Sequence, residues 1–255
     1  MDRLIYTAHM AMAEQRLDRQ ALTHELANVT TVGFKRAYEV ANRSVRVEGD
    51  GFDTRFLPRA VTTNIVNMSP GPQMVTGRAL DVSMNDLTVL GVFSKDNQLT
   101  WTRRGDLKID PDGFLRTGEG YLVSDDKGKP ISMPLGSFNF NITNDGEILA
   151  MDPAFPENGE TSISKLNIKD TTGIDLVRRS DGLFQPVKGI DGSNDFETGP
   201  GIASVNSRVL EGSNVNTVTT LVKFIDHSRS FEMQTRVIKE MKDNDSSGES
   251  MMRLS

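Results

Sequence analysis

Between Leu210 and Met241 the chain carries one unbroken periodic pattern. Leu221, Phe224, Ser228, Phe231, Thr235 and Ile238 alternate gaps of three and four, the spacing that lays one stripe of side chains along a helix. Ser213, Asn214 or Asn216 can cap its start through a side-chain oxygen, and neither Gly nor Pro follows until Gly248. The expected rod from Val215 to Met241 is about 40 Å long at roughly 1.5 Å per residue. At about 100° per residue, Val218, Val222 and Ile225 fall beside the stripe, and Met233, Val237 and Met241 fall well around the helix. One partner helix cannot cover all of these.

Residues 2–29 predict a second long helix with two stripes of its own. Ile5, Ala8, Met12, Leu22, Leu26 and Val29 share one side, with Gln15 and Arg19 on the same register. Tyr6, Met10, Ala13, Leu17 and Ala21 lie nearly opposite. A helix with apolar stripes on both sides needs neighbours on both sides. Gly33 suits a left-handed exit from its end, and Phe34 can fold back on the last turn.

From about Val75 to Ser207 the period shortens to that of β-strands. Strands are predicted near Leu87–Phe93, Leu99–Arg103, Leu107–Ile109, Phe114–Thr117 and Tyr121–Val123. Asp112-Gly113, Asp145-Gly146, Asp181-Gly182 and Asp191-Gly192 supply hairpin turns between them. Residues 37–75 hold no sustained period and end in Ser69-Pro70-Gly71-Pro72, an extended connector on this reading. The fold expected is therefore α+β: long N- and C-terminal helices pairing as a coiled-coil-like helical hairpin, with an antiparallel all-β domain inserted between them.

Composition narrows the function more than the fold. The 255 residues carry 29 basic and 35 acidic side chains, a net charge of −6. The basic residues are scattered among acids, so no nucleic acid is expected as partner. With no cysteine, disulfides, thiolate metal sites and a Cys nucleophile are excluded together. No run is long or apolar enough to predict a transmembrane segment, and MDRLIYTAHMAMAEQRLD lacks the apolar core of a secretory signal.

No catalytic constellation emerges. His9, His24 and His227 are the only histidines, all on predicted helices and none beside a second ligand at metal spacing. Most Asp-Gly pairs are explained by turns. Asp110-Pro111-Asp112-Gly113 lacks the third acid and distal glutamate of a calcium loop, and Gly128-Lys129 lacks the rest of a phosphate loop. No cofactor, metal or enzymatic activity is expected.

Two separated segments carry a resemblance. Leu26-Ala27-Asn28-Val29-Thr30-Thr31-Val32-Gly33-Phe34-Lys35-Arg36 resembles the segment that closes the first helix in the axial proteins of the bacterial flagellum, the rod and hook group. Leu210-Glu211-Gly212-Ser213-Asn214-Val215-Asn216, followed by Arg229, Phe231, Glu232 and Met233, resembles the paired segment that opens their last helix. Leu80-Asp81-Val82, Trp101-Thr102-Arg103, Gly105 and Asp112-Gly113 are similar to the β-domain pattern of that group. Asn85-Asp86-Leu87-Thr88-Val89-Leu90 stands where the group usually has Gly-Asp-Gly-Phe-Phe.

Met1-Asp2-Arg3-Leu4-Ile5-Tyr6-Thr7-Ala8 and the overall length look most like the proximal-rod branch, with the distal rod or another axial homologue as the alternative. The resemblance implies a structural subunit of the periplasm-spanning basal-body rod, exported by the flagellar type III apparatus. Its partners would be other rod proteins and copies of itself. Residues 1–36 and 209–255 would form an inner layer and residues 76–208 an outer β layer. Ile5, Tyr6, Ala8, Met10, Met12, Leu17, Leu22, Leu26, Leu221, Phe224, Ile225, Phe231 and Ile238 would pack against neighbouring subunits. An alternative of another class is a secreted glycan-binding or glycan-hydrolysing β protein, for which Trp101, Tyr121 and Phe114 would be the stacking candidates.

Overall fold

The computed structural model describes residues 2–38, 41–46, 56–61, 65–134, 136, 138–154, 157, 159–188 and 194–253. Asp191-Gly192, read above as a hairpin turn, lies outside them. The chain divides into two compact units, one of residues 1–27, 39–63 and 216–255, the other of residues 28–38 and 64–215.

In the first unit, α1 spans Asp2–Ala27 and α2 spans Thr217–Arg253. Between them in sequence, Ala41–Arg46 (β1) pairs antiparallel with Phe56–Val61 (β2), from Ala41 opposite Val61 to Arg46 opposite Phe56. Asn216 caps α2: its carbonyl accepts the first helical bond, from the Thr220 N–H at 3.0 Å, and its Oδ1 accepts the Thr219 N–H at 3.0 Å, a donor that a helix start otherwise leaves open.

Among its described residues the second unit is built on β-strands. In chain order its strands are Gln73–Val75 (β3), Val82–Met84 (β4), Thr88–Phe93 (β5), Leu99–Thr102 (β6), Leu107–Ile109 (β7), Leu115–Thr117 (β8), Leu122–Val123 (β9), Asn139–Ile142 (β10), Glu147–Met151 (β11) and Thr161–Lys165 (β12). Ile168–Asp170 (β13), Leu176–Arg178 (β14), Phe184–Pro186 (β15), Val205–Ser207 (β16) and Val209–Glu211 (β17) complete it. The largest sheet runs β14-β15-β6-β5-β9-β8-β7, with β13 also on β5. A three-stranded sheet runs β10-β11-β12, and β16 with β4 and β17 with β3 form two smaller pairs.

Strand β5 is buried on both faces and divides the core by its period of two. Leu90 and Val92 join Leu107, Leu115, Val123, Ile148 and Leu166 in one cluster, while Val89 joins Trp101, Leu176, Phe184 and Phe196 in another. Trp101 lies 4.7 Å from Phe196 ring to ring and donates its indole N–H to the Asn194 carbonyl at 2.8 Å. It is therefore a core residue and not the glycan platform considered above. Each such fully buried large side chain is worth about 1.5–3 kcal/mol.

The expected fold class needs correction. Among the described residues there are two helices and seventeen strands spread over several sheets, so the chain is mostly β. The terminal helices form no coiled-coil hairpin. Where they meet, Gln15 Nε2 donates to Ser230 Oγ at 2.9 Å, His227 Nε2 lies 2.7 Å from the Gln15 carbonyl, and the Arg19 guanidinium stands 5.9 Å from the Phe224 ring centre. Leu221 and Thr235, both on the expected stripe, are exposed, as is Ile225 beside it. Polar bonding takes the place of interlocked apolar knobs, because Gln15, Ser228 and Thr235 interrupt the pattern that such packing needs. The β structure is also not confined to one inserted domain, since β1 and β2 belong to the unit that holds both helices.

Candidate functional site

The two segments that carried the resemblance meet inside the β unit. After Ala27 the chain turns through Asn28–Thr31, with the Thr31 N–H on the Asn28 carbonyl at 3.2 Å and Thr31 Oγ1 on Asn28 Oδ1 at 3.1 Å. Gly33 then takes φ +67° and donates its N–H to the Glu211 carbonyl at 2.7 Å. A Cβ there would stand 2.3 Å from the Arg103 carbonyl oxygen, so both conformation and space demand glycine. The Phe34 ring lies 4.5 Å below the Arg178 guanidinium, which also donates to the Lys35 carbonyl.

From the other direction, β17 delivers Leu210 opposite Met74 and Glu211 opposite Gln73. The Gly212 N–H donates to the Pro72 carbonyl at 2.7 Å, and a Cβ on Gly71 would come within 2.2 Å of the Gly212 oxygen. The Ser213 hydroxyl accepts the Val215 N–H at 3.2 Å. Asn214 ties both signatures together: its N–H donates to the Phe34 carbonyl at 3.2 Å, its Oδ1 accepts the Arg36 N–H at 2.7 Å, and its Nδ2 donates to the Asn67 carbonyl at 2.9 Å.

At the centre sits the Glu211 carboxylate, 2% exposed, between Lys35 at 0% and Arg103 at 1%. Glu211 Oε1 accepts from Lys35 Nζ at 2.7 Å and from the Gly71 N–H at 2.9 Å. Glu211 Oε2 accepts from Arg103 Nε at 2.8 Å and lies 2.6 Å from its Nη2. Arg103 spends its remaining donors on the carbonyls of Asp86 at 2.6 Å, Thr88 at 2.9 Å and Met84 at 2.9 Å, so its whole donor fork is engaged. The sharp turn at Asp86, where φ is +43°, presents two of these carbonyls. That turn lies in the segment that departs from the group's usual Gly-Asp-Gly-Phe-Phe.

Two buried cations thus share one carboxylate. Burial, followed by the neighbouring Arg103 charge, pushes the Lys35 ammonium down to about 8, while Glu211 pulls the other way. Lys35 also donates to the Ser69 carbonyl at 2.7 Å. Such a network holds segments in register rather than performing chemistry.

The residues read as subunit-packing positions fall elsewhere. The side chains of Ile5, Tyr6, Ala8 and Met10 lie outside what is described. Met12, Leu22, Leu26, Phe224, Phe231 and Ile238 are half-buried, and Leu17, Leu221 and Ile225 are exposed, together with Val218, Val222, Met233 and Val237. Ala27 closes α1 and is exposed. Among the described residues, no group of three or more His, Asp or Glu is placed to hold a metal ion, and no helix is long and apolar enough to cross a membrane. In the sequence Lys35 and Arg103 stand out only as members of motifs. Their pairing with Glu211 spans separations of 176 and 108 residues, beyond any local pattern.

Residues 206–251 match the family described as flagellar basal body rod FlgEFG protein C-terminal, and residues 90–150 match the flagellar hook protein FlgE/F/G D1 domain. Over all of both chains, the sequence is 37% identical to the flagellar basal-body rod protein FlgF of Escherichia coli strain K12. The chain belongs to the flagellar basal-body rod protein family. The FlgF of Salmonella typhimurium is 36% identical, again over all of both chains. A flagellar basal-body rod protein FlgG from Buchnera aphidicola of Schizaphis graminum is 27% identical over 92% of this chain and 94% of its own. In this chain Glu211 and Gly212 of the buried junction fall in the C-terminal match, and Arg103, its second cation, falls in the D1 match.

Proposed function

We propose that this chain is a structural subunit of the flagellar basal-body rod, in its proximal part, and that it acts by being packed among other rod subunits into the shaft that transmits torque in motility. Full-length identity to FlgF relatives carries this reading. It is supported by the exposed apolar residues Val218, Leu221, Val222 and Ile225, which follow one another along a single stretch of α2. A run of this kind is a surface for other protein. Contacts in which one surface binds a different surface of the next subunit build a helical tube unless the rotation closes a ring.

On this reading α1 and α2 carry the surfaces that neighbouring subunits cover, and the chain is exported by the flagellar type III apparatus. The role is mechanical. Its location is the flagellar basal body, and the purified chain should turn over no peptidoglycan.

Deleting the chain in its host tests the reading. Isolated basal bodies should then lack a complete rod, cells should not swim, and the intact chain should restore both. Complete rods in the deletion strain would overturn it.

A further inference from the structure

Apart from the junction, the described residues of the β unit line an open cleft with a chemistry of its own. It holds about 560 Å³ between the loop Gly77–Leu80 and strand β10, with Phe138, Met151, Glu160 and Arg208 completing its walls, a size within the range of binding sites. Three consecutive residues of β10, Asn139, Phe140 and Asn141, line it. Since side chains alternate between faces, a run of three means that the cleft follows the edge of the strand.

That edge is open. β10 is the terminal strand of its sheet. The Thr143 N–H donates to the Glu147 carbonyl at 2.9 Å, which makes Asn141 opposite Leu149 and Asn139 opposite Met151 the hydrogen-bonded pairs of the ladder. The N–H and carbonyl of Phe140 therefore point away from β11, toward the cleft. Among the described residues the side chains of Asn139, Asn141, Glu160 and Arg208 have no hydrogen-bond or ion-pair partner.

Arg208 is the most telling of these. It joins β16 to β17 with φ +66°, a conformation that costs a side-chain-bearing residue of this kind about 1–3 kcal/mol and collects at functional positions. Its backbone is pinned, N–H to the Asp81 carbonyl at 2.7 Å and carbonyl to the Thr76 N–H at 2.9 Å. Glycine would suit the kink, yet an exposed guanidinium stands there. The cleft's other cation, Arg78, is already engaged by the Leu107 carbonyl at 3.0 Å and by Asp81 at 3.5 Å.

We propose that the cleft takes an extended, carboxylate-bearing segment of a neighbouring rod subunit as an added strand beside β10, its backbone on Phe140 and its carboxylate on Arg208. Strand addition satisfies backbone groups that an edge leaves open and reads alternate side chains. A glycan could use the free amides but has no alternating N–H and carbonyl groups to match the edge. This inference rests on the rod-subunit reading.

The test is a p-benzoylphenylalanine residue in place of Phe140 in the host's assembled basal bodies, irradiated, digested and read by mass spectrometry. The expected product joins position 140 to a non-helical segment of a rod subunit with an Asp or Glu within about three residues of the attachment. Its yield should fall at least tenfold in Arg208→Gly, whose β unit should resist urea as well as or better than the parent because glycine accepts the kink. Attachment only within the same chain, to a helix or to glycan, no attachment, or a yield unchanged by Arg208→Gly would overturn the proposal. A chain absent from the basal bodies would overturn the rod reading and this proposal with it.

Discussion

Replacing Lys35 by methionine removes the surplus charge of the buried junction and nothing of its length, and the consequence is worked out through pH. The ammonium sits at about 8 in the folded chain against an ordinary 10.5. Below pH 8 both folded and unfolded chains hold the proton, and the full cost of burying it is present. Between pH 8 and 10.5 the unfolded chain binds more protons than the folded one, so stability rises with pH. At about 1.36 kcal/mol per unit, the whole difference is roughly 3 kcal/mol, of which about 2 kcal/mol is recovered between pH 7.5 and 9.5. Urea unfolding of the parent and of Lys35→Met at pH 7.5, 8.5 and 9.5 measures it, because every other titrating group cancels in the difference. The parent should gain about 2 kcal/mol relative to the variant across that range. A difference independent of pH would refute the argument that burial, with Arg103 beside it, holds the Lys35 ammonium below its ordinary range.

Other perturbations follow from the same geometry. Glu211→Gln leaves Lys35 and Arg103 buried without a counter-charge and should cost about 3–5 kcal/mol in urea unfolding; a loss under 1 kcal/mol would contradict the assignment. Gly33→Ala must move a Cβ that would lie 2.3 Å from the Arg103 carbonyl oxygen, in a conformation that itself costs about 1–3 kcal/mol, so its melting temperature should fall measurably. Val222→Asp, at a position 52% exposed, should change the stability of the free chain by less than about 0.5 kcal/mol while abolishing swimming, because the assembled shaft would bury an unpaired carboxylate. Normal swimming in that variant would remove this part of α2 from the packing surface.

Local chemistry was legible where it is self-contained. The strands around Thr88–Val123 were read within a residue or two, because Asp112-Gly113 separates two runs of apolar alternation and Gly113 does take φ +81°. The start of α2 was legible for the same reason, since Asn216 caps it through its own side chain. What helical spacing could not report is the partner. Leu221 through Ile238 describe a stripe, and beside that stripe Ser230 is met by Gln15 through a hydrogen bond rather than through an apolar seam. Strands β1 and β2 escaped because Ala41–Arg46 has no alternation to show, and its pairing with Phe56–Val61 becomes evident only in space. The junction was half legible: its glycines and asparagines stood in recognisable motifs, but the electrostatics that join them depend on contacts more than a hundred residues apart.

The most direct test of the rod assignment is electron cryomicroscopy of basal bodies isolated from the host, at a resolution that traces side chains. The account predicts density for this chain in the proximal rod, recognisable by Trp101 packed on Phe196, with the Val218–Ile225 stretch of α2 covered by neighbouring subunits. Rods complete without this chain, or containing it with that stretch facing solvent, would contradict it.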